Sequence, residues 1–267
     1  MLVDFHSHTC ESDGTLAPAA LCEFMQQRGV RFFSITDHDS IKAYGQFEVP
    51  AHMRVTSGIE INTSFRDGEV HILGYRLPLG DSPLTAVLEA NRAARRTRVG
   101  RIVEQLRDAG YAISMDDVHA EALEGASLGR PHVGKALIRL GIAPDIETAF
   151  RSFLRRGTPG YVPSTHITPQ EAIEVVLASG GVPVLAHPGR LKDYGIIEEL
   201  VQWGLQGLEV FYPTHEPMQT AYFRDRARRY GLVMSGGSDF HDIRYHKRGV
   251  GMEIDEEDIA PFLNLVA

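Results

Sequence analysis

The stretch LVDFHSHTCESDGTLAPAALCEFMQQRGVRFFSITDHD, residues 2–39, decides the fold class. Residues 2–5 read as a strand. Residues 17–28 read as a helix closed by Gly29, and 31–36 as a second strand running into Asp37-His38-Asp39. A strand, a helix and another strand in this order make a crossover unit, which joins parallel neighbours. The rhythm continues outward. Residues 53–61 and 69–75 read as strands. Thr168-Pro169-Gln170-Glu171 is a capping box with proline at the first helical position, opening a helix to Ser179. A strand at 182–186, a helix at 196–203, a strand at 207–211, a helix at 216–230 and a strand at 232–235 follow. Strands alternating with helices predict an α/β fold with a largely parallel sheet, open or closed into a barrel.

The middle of the chain breaks this rhythm. Ser82-Pro83 opens a helical pattern that runs to Gly110, with Leu84, Leu88, Val99, Ile102 and Leu106 on one stripe. Further helices are predicted at 115–123, 131–140 and 145–154, with no convincing strand. Residues 80–158 therefore read as a helical insertion into an α/β body made of 1–79 and 159–267. There are no internal repeats or low-complexity tracts.

Composition narrows the chemistry. The 267 residues are 43% hydrophobic and 23% charged, which suits a globular chain. No apolar run approaches the ~18 residues of a membrane span. The MLVDFHSHT start lacks the parts of a secretory signal, so a cytoplasmic location is expected. Cys10 and Cys22 form neither a disulfide framework nor a CxxC motif. Any metal site must use nitrogen and oxygen ligands, which suits Mn, Fe, Zn or Mg. A net charge of −8 argues against a general nucleic-acid surface, and an anionic substrate would need local positive charge.

The polar residues that matter follow predicted strands. His6 and His8 follow the first strand, Asp13 lies in the next loop, and His38 ends the second strand. Glu60 closes the 53–61 strand, His187 follows 182–186, and Asp239-x-His241 follows 232–235. Strand ends on one face of a parallel α/β fold are where loops host a site. Alternation places His6 and His8 on the same side of an extended backbone, and Asp239 with His241 repeats that geometry. His71 lies inside its strand, next to the strand of Glu60. Any one of these residues alone is better explained as a cap or a satisfied polar group. Eight ionisable groups gathered at strand ends would be heavily penalised without cations to compensate them.

The set HSH…SDG, TDHD, GIE, HILGY, AHPGR and GSDFH resembles the PHP (polymerase and histidinol phosphatase) superfamily. The order and spacing look most like its small members acting on nucleotides, such as the 3′,5′-nucleoside bisphosphate phosphatases. The resemblance covers nearly the whole chain. It implies a distorted (β/α)7 barrel, interrupted by a helical insertion, with two or three divalent metals at the C-terminal strand ends. It implies that His6, His8, Glu60 and Asp239 hold one metal. Glu60 would bridge to a second held by His71 and His187, and Asp13, His38 and His241 would hold a third. Cys10 lies where relatives often carry a small hydroxyl residue and is read as a neighbour, not a ligand.

The expected function is a metal-dependent phosphoesterase removing the 3′-phosphate of a small 3′,5′-bisphosphonucleotide. The expected route is in-line attack by a metal-bridging hydroxide without a covalent intermediate, with Mn ahead of Fe or Zn. Alternatives are a 5′→3′ exonuclease on short RNA or DNA ends and a histidinol-phosphatase-like monoesterase. From different classes come a non-catalytic metal-stabilised module and an amidohydrolase, although no lysine ends a predicted strand. His187 and His215 are the candidate catalytic histidines, with His215 a leaving-group acid. Arg130 and His132 open a helix with proline between them and are candidate phosphate contacts, as in the resembling family. Arg190 is a third candidate. Asn91 and Arg95 share the apolar stripe of the long helix, with Arg98 and Arg101 on the opposite face; either the pair points to the site mouth, or Arg95 snorkels to solvent or pairs with an acid. A small phosphorylated nucleotide is the expected partner, with short oligonucleotides next; no membrane or protein partner is indicated.

Overall fold

Three short strands, β1 (Leu2–Asp4), β2 (Phe32–Phe33) and β3 (Arg54–Val55), pair in parallel in the computed structural model, which describes residues 1–66, 68–164, 167–244 and 249–267. Helix α1 (Pro18–Gln27) makes the crossover from β1 to β2 and buries Leu21, Cys22 and Met25 beneath it. A fourth strand, β9 (Met252–Glu253), lies antiparallel on β1.

The second sheet has the order β4 (Gly58–Phe65), β5 (Gly68–Tyr75), β6 (Val182–Leu185), β7 (Gly207–Phe211), β8 (Val233–Gly236). Helices α6 (Pro169–Ala178), α7 (Ile196–Gln202) and α8 (Pro217–Tyr230) precede or link its later strands. The Thr168 cap forms as expected, its hydroxyl accepting from the Glu171 N–H. The two sheets meet at both margins through single bridges, Ser7 with Phe240 and His38 with Glu60. The architecture is thus mixed α/β in two sheets, and among the described residues the strands do not form one continuous sheet.

Two expectations about the strands need correction. The stretch 53–61 is not one strand: the chain leaves the first sheet after Val55 and enters the second at Gly58. Gly58 permits the crossing, because a Cβ there would sit 2.1 Å from Ser34 Oγ. Nor is the second sheet mostly parallel. β4 runs antiparallel to β5, and β5 to β6, whereas only β6, β7 and β8 are parallel. The turn between Phe65 and Gly68 is too short for a crossover, so β4 and β5 must form a hairpin.

Helix α9 (Glu256–Val266), which carries Pro261 in its interior, has no counterpart in the sequence reading. It packs Phe262 edge-on against Phe5 at 4.7 Å and Tyr75 at 5.0 Å. Burying such a ring stabilises by roughly 2–3 kcal/mol.

Helix α2 (Pro83–Asp108) belongs to two cores. Leu84 and Leu88 pack in the main core with Ile173 and Val176 of α6. Val99, Ile102, Val103 and Leu106 pack with Val133, Leu137, Phe153 and Leu154 in a separate cluster. That cluster is built by α2, α3 (Met115–His119), α4 (Arg130–Arg139), α5 (Ile146–Ala149) and a π-turn at Phe150–Leu154. Arg98 is buried, its Nε donating to the Val162 carbonyl at 3.0 Å and its guanidinium pairing with Glu69 of β5 at 2.7 Å. No helix among the described residues is long and apolar enough to cross a membrane.

Candidate metal centre

The centre is built around Glu60 on β4, a buried carboxylate whose two oxygens face different partners. Oε1 lies 2.6 Å from His71 Nδ1 and 3.0 Å from His187 Nε2. Oε2 lies 3.2 Å from His6 Nε2, 3.2 Å from His8 Nε2 and 3.1 Å from His38 Nδ1. His6 and His8 reach it from the end of β1, His71 from β5 by cross-strand neighbourhood, and His187 from the end of β6. The pleat sends Ser7 the other way, its hydroxyl donating to the Ser34 carbonyl.

Asp13 and Asp239 complete the cluster. Asp13 approaches His38 Nε2 at 3.6 Å and His241 Nε2 at 3.4 Å. Asp239 lies 3.4 Å from His6 and 3.2 Å from His8 and accepts from the Tyr212 hydroxyl at 2.7 Å. Three overlapping sets have ligand atoms within 4.8 Å of one another: His6, His8, Glu60 and Asp239; His8, Asp13, His38 and His241; and His38, Glu60 and His71. His187 touches Glu60 but falls outside these sets, and His38 faces both Asp13 and Glu60.

The donor atoms fit metal ions better than one another. His6 Nε2, His8 Nδ1, His38 Nδ1 and Glu60 Oε2 are buried with no hydrogen-bond partner among the described residues, although they converge. Such groups cost about 1–3 kcal/mol each when left unsatisfied. The rings of His8 and His241 stack at 4.1 Å, a contact that two protonated imidazoles would resist. Burial pushes the Glu60 carboxyl up, but His38, His6 and His71 outweigh it and hold it well below the usual range. Asp13 and Asp239 follow the same pattern, burial being overcome by His241 and by His6 respectively. Burial pushes His187 down and His38 far down, towards the neutral form in which an imidazole donates a lone pair to a metal.

Several buried acids stand behind the ligands, and Glu209 and Asp4 among them escape any motif. Glu209 on β7 accepts from His6 Nδ1 at 2.9 Å and from the His187 N–H at 2.6 Å. It thereby turns His6 Nε2 inward and holds the His187 backbone, whose φ is +28°. Asp4 on β1 accepts from the Ser238 N–H and hydroxyl and from the Gly251 N–H, tying β1 to the loop that carries Asp239. Their one signal in the sequence is an acid inside an otherwise apolar strand, Leu-Val-Asp4-Phe and Leu-Glu209-Val-Phe. Asp37 accepts from the Thr9 N–H and the Ser12 hydroxyl, bracing the loop that carries Asp13.

A cavity of 180 Å³ opens over the cluster, and Arg95, Arg98, Arg130 and Arg190 line it together with the acids and imidazoles. Arg190 lies 3.3 Å from Asp239 and 5.3 Å above the Tyr212 ring. Arg130, the first residue of α4, pairs with Glu69 at 2.6 Å. Arg95 pairs with Asp39 at 2.6 Å and also donates to Asn62 Oδ1, whose amide meets His71 Nε2 at 3.2 Å. Asn91 does not reach the cavity; its amide donates to Asp39 at 2.9 Å.

Two candidate histidines fail on geometry. His132 accepts from the Gly129 N–H at 3.1 Å and donates from Nε2 to the Ser12 carbonyl at 3.0 Å, so capping consumes both nitrogens. His215 is likewise committed, Nδ1 to the Val210 carbonyl at 3.0 Å and Nε2 accepting from the Gly189 N–H at 3.1 Å. It holds the turn after His187, with its N–H committed to the Val210 carbonyl.

No family model matches the sequence. The chain is 31% identical to a 3′,5′-nucleoside bisphosphate phosphatase of Chromobacterium violaceum, over 97% of this chain and 93% of the relative. The chain belongs to the PHP superfamily. This PHP protein is also 30% identical to the 5′-3′ exoribonuclease Rnm of Escherichia coli, over 90% of this chain and 85% of the relative. Among solved structures it superposes on an amidohydrolase of C. violaceum with bound sulfate, at a TM-score of 0.89 and 28% identity over 98% and 95% of the chains. It superposes on a protein of Bifidobacterium adolescentis described as a metal-dependent phosphoesterase at 0.81 and 31% identity, over 89% and 87% of the chains. The PHP protein is accordingly a metal-dependent phosphoesterase.

Proposed function

We propose that this PHP protein removes the 3′-phosphate from a small nucleoside 3′,5′-bisphosphate. The carrying observation is Glu60, whose two oxygens divide five imidazoles between them beneath a cavity rimmed by guanidinium groups. His6, His8, Asp13, His38, Glu60, His71, His187, Asp239 and His241 would hold two or three divalent cations, manganese being the first to try. When bound, the cations supply a water of lowered pKa and neutralise the phosphoryl oxygens.

The chain's own groups do the rest. Glu209 keeps the His6 lone pair facing inward, and Tyr212 holds Asp239 in place. Arg130 and Arg190, which both line the cavity, present planar donor forks to the phosphoryl oxygens. Arg95 and Asn91 act as positioning residues through Asp39 and Asn62. The bisphosphate phosphatase relative supports the mononucleotide reading, and the exoribonuclease relative supports short 5′-phosphorylated RNA as a second substrate.

The test is release of phosphate by manganese-loaded protein from a nucleoside 3′,5′-bisphosphate, histidinol phosphate, a cyclic nucleotide and a 5′-phosphorylated oligoribonucleotide. Preference for the bisphosphate is expected. Inertness towards it, with turnover of histidinol phosphate, would sink the proposal.

A further inference from the structure

A second cavity, of 290 Å³, adjoins the metal cavity and shares Arg98 and Arg130 with it. Arg66, Arg156, Tyr161 and Lys192 also line it, and Glu69 is its one acidic residue among those described. Five cationic side chains around one small space stand out in a chain with 27 basic and 35 acidic residues. They come from separate places in the fold: the β4–β5 turn, α2, the start of α4, the segment after the π-turn, and the loop that follows Arg190.

Part of this charge is matched within the protein. Glu69 spans Arg98 at 2.7 Å and Arg130 at 2.6 Å, and Arg66 pairs with Glu199 at 2.7 Å. Glu69 is thereby a strut held between two guanidinium groups. A guanidinium has five N–H donors in a rigid fork, and one carboxylate shared by two arginines leaves most of them for another acceptor. Like charges held together in this way are favourable once an anion joins them.

We infer that this second cavity binds a phosphate group of the substrate other than the one being removed. The inference rests on the proposed phosphatase reading, and it deepens that reading: the preferred substrate carries two phosphates, the scissile one over Glu60 and the other against Arg156 and Lys192. The second phosphate belongs either to a mononucleotide or to the next phosphodiester of a short strand.

The experiment compares manganese-loaded parent, Lys192→Gln and the double variant Arg156→Gln/Lys192→Gln on three substrates: a nucleoside 3′-monophosphate, the matching 3′,5′-bisphosphate and a 5′-phosphorylated trinucleotide. Both positions are exposed. The double variant should lower kcat/KM for a two-phosphate substrate at least tenfold, mainly through KM, and Lys192→Gln by a smaller factor. The monophosphate should change less than twofold. Loss confined to the bisphosphate assigns a mononucleotide, and loss on the trinucleotide assigns a phosphodiester. An equal loss on the monophosphate, or no loss on either larger substrate, overturns the inference. Calorimetric binding of non-hydrolysable phosphonate analogues keeps the two readings apart. If the parent hydrolyses nothing, the phosphatase reading fails, while tenfold weaker binding of the bisphosphonate by the double variant still supports the cavity and unchanged binding overturns it.

Discussion

The floor and the roof of the metal cavity are made by opposite means. The floor consists of strand ends, where buried imidazoles and carboxylates converge and leave Glu60 Oε2, His6 Nε2, His8 Nδ1 and His38 Nδ1 without hydrogen-bond partners. The roof consists of helices, where each guanidinium is already matched: Arg95 by Asp39, and Arg98 and Arg130 by Glu69. The floor therefore needs an outside charge to be stable as a cluster, whereas the roof is braced by its own acids, one of them shared by two arginines, and can be preorganised before any ligand arrives. The two meet at Asp39, which lies beside His38, carries a φ of +51° and takes its partners from α2.

Glu60→Gln tests the floor and should have the largest effect. It keeps the shape but removes the charge of the carboxylate shared by five imidazoles and replaces one acceptor oxygen with an NH2 donor. Turnover should fall by about 10³-fold, corresponding to about 4 kcal/mol of transition-state stabilisation. Metal content by elemental analysis should fall with it; a variant that keeps its full metal complement and a tenth of its activity would refute the bridging role.

Arg95→Met tests the join between roof and floor. It leaves the buried Asp39 carboxylate without its cation, at a cost of about 3–5 kcal/mol in denaturant-melt stability. Adding Asp39→Asn should recover much of that loss, because the buried charge is then gone. A single-variant loss below about 1 kcal/mol would place Arg95 among ordinary exposed ion pairs and uncouple the two regions.

The smallest effect is expected at the edge of the roof. Burial pushes His132 down to about 4, from an ordinary 6.5. The unfolded chain therefore takes up a proton below pH 6.5 that the folded one refuses. The resulting stability is complete above pH 6.5 and is lost as pH falls towards 4, by about 3 kcal/mol at most. His132→Gln can keep both the Gly129 cap and the Ser12 contact, so the parent-minus-variant difference in melting free energy should slope over that window alone. A flat difference would mean that His132 is protonated in the folded protein.

Particular residues separate what could be read from what could not. His6 and His8 were legible because an extended backbone repeats every two residues, so H-x-H necessarily points both rings one way. His132 and His215 sit in equally suggestive sequence, yet nearby carbonyls and amides take both their nitrogens, and no local pattern announces which main-chain groups will arrive. Arg98 was misplaced because a stripe on α2 shows nothing of the Val162 carbonyl and the Glu69 carboxylate that reach it from other segments. Glu209 left only the trace of an acid in an apolar strand, and its two contacts join β1, β6 and β7 across the sheet.

The sequence by itself determined most of the element types, α9 and the break in 53–61 apart, together with the alternating rhythm and the supply of nitrogen and oxygen ligands at strand ends, because periodicity and side-chain chemistry are local properties. Only the tertiary structure decided the two-sheet arrangement, the pairing of Arg95 with Asp39, the strut from Glu69 to two arginines, and the gathering of five cations into one cavity. Those depend on which distant segments come within about 3 Å of each other, the range over which hydrogen bonds and ion pairs act.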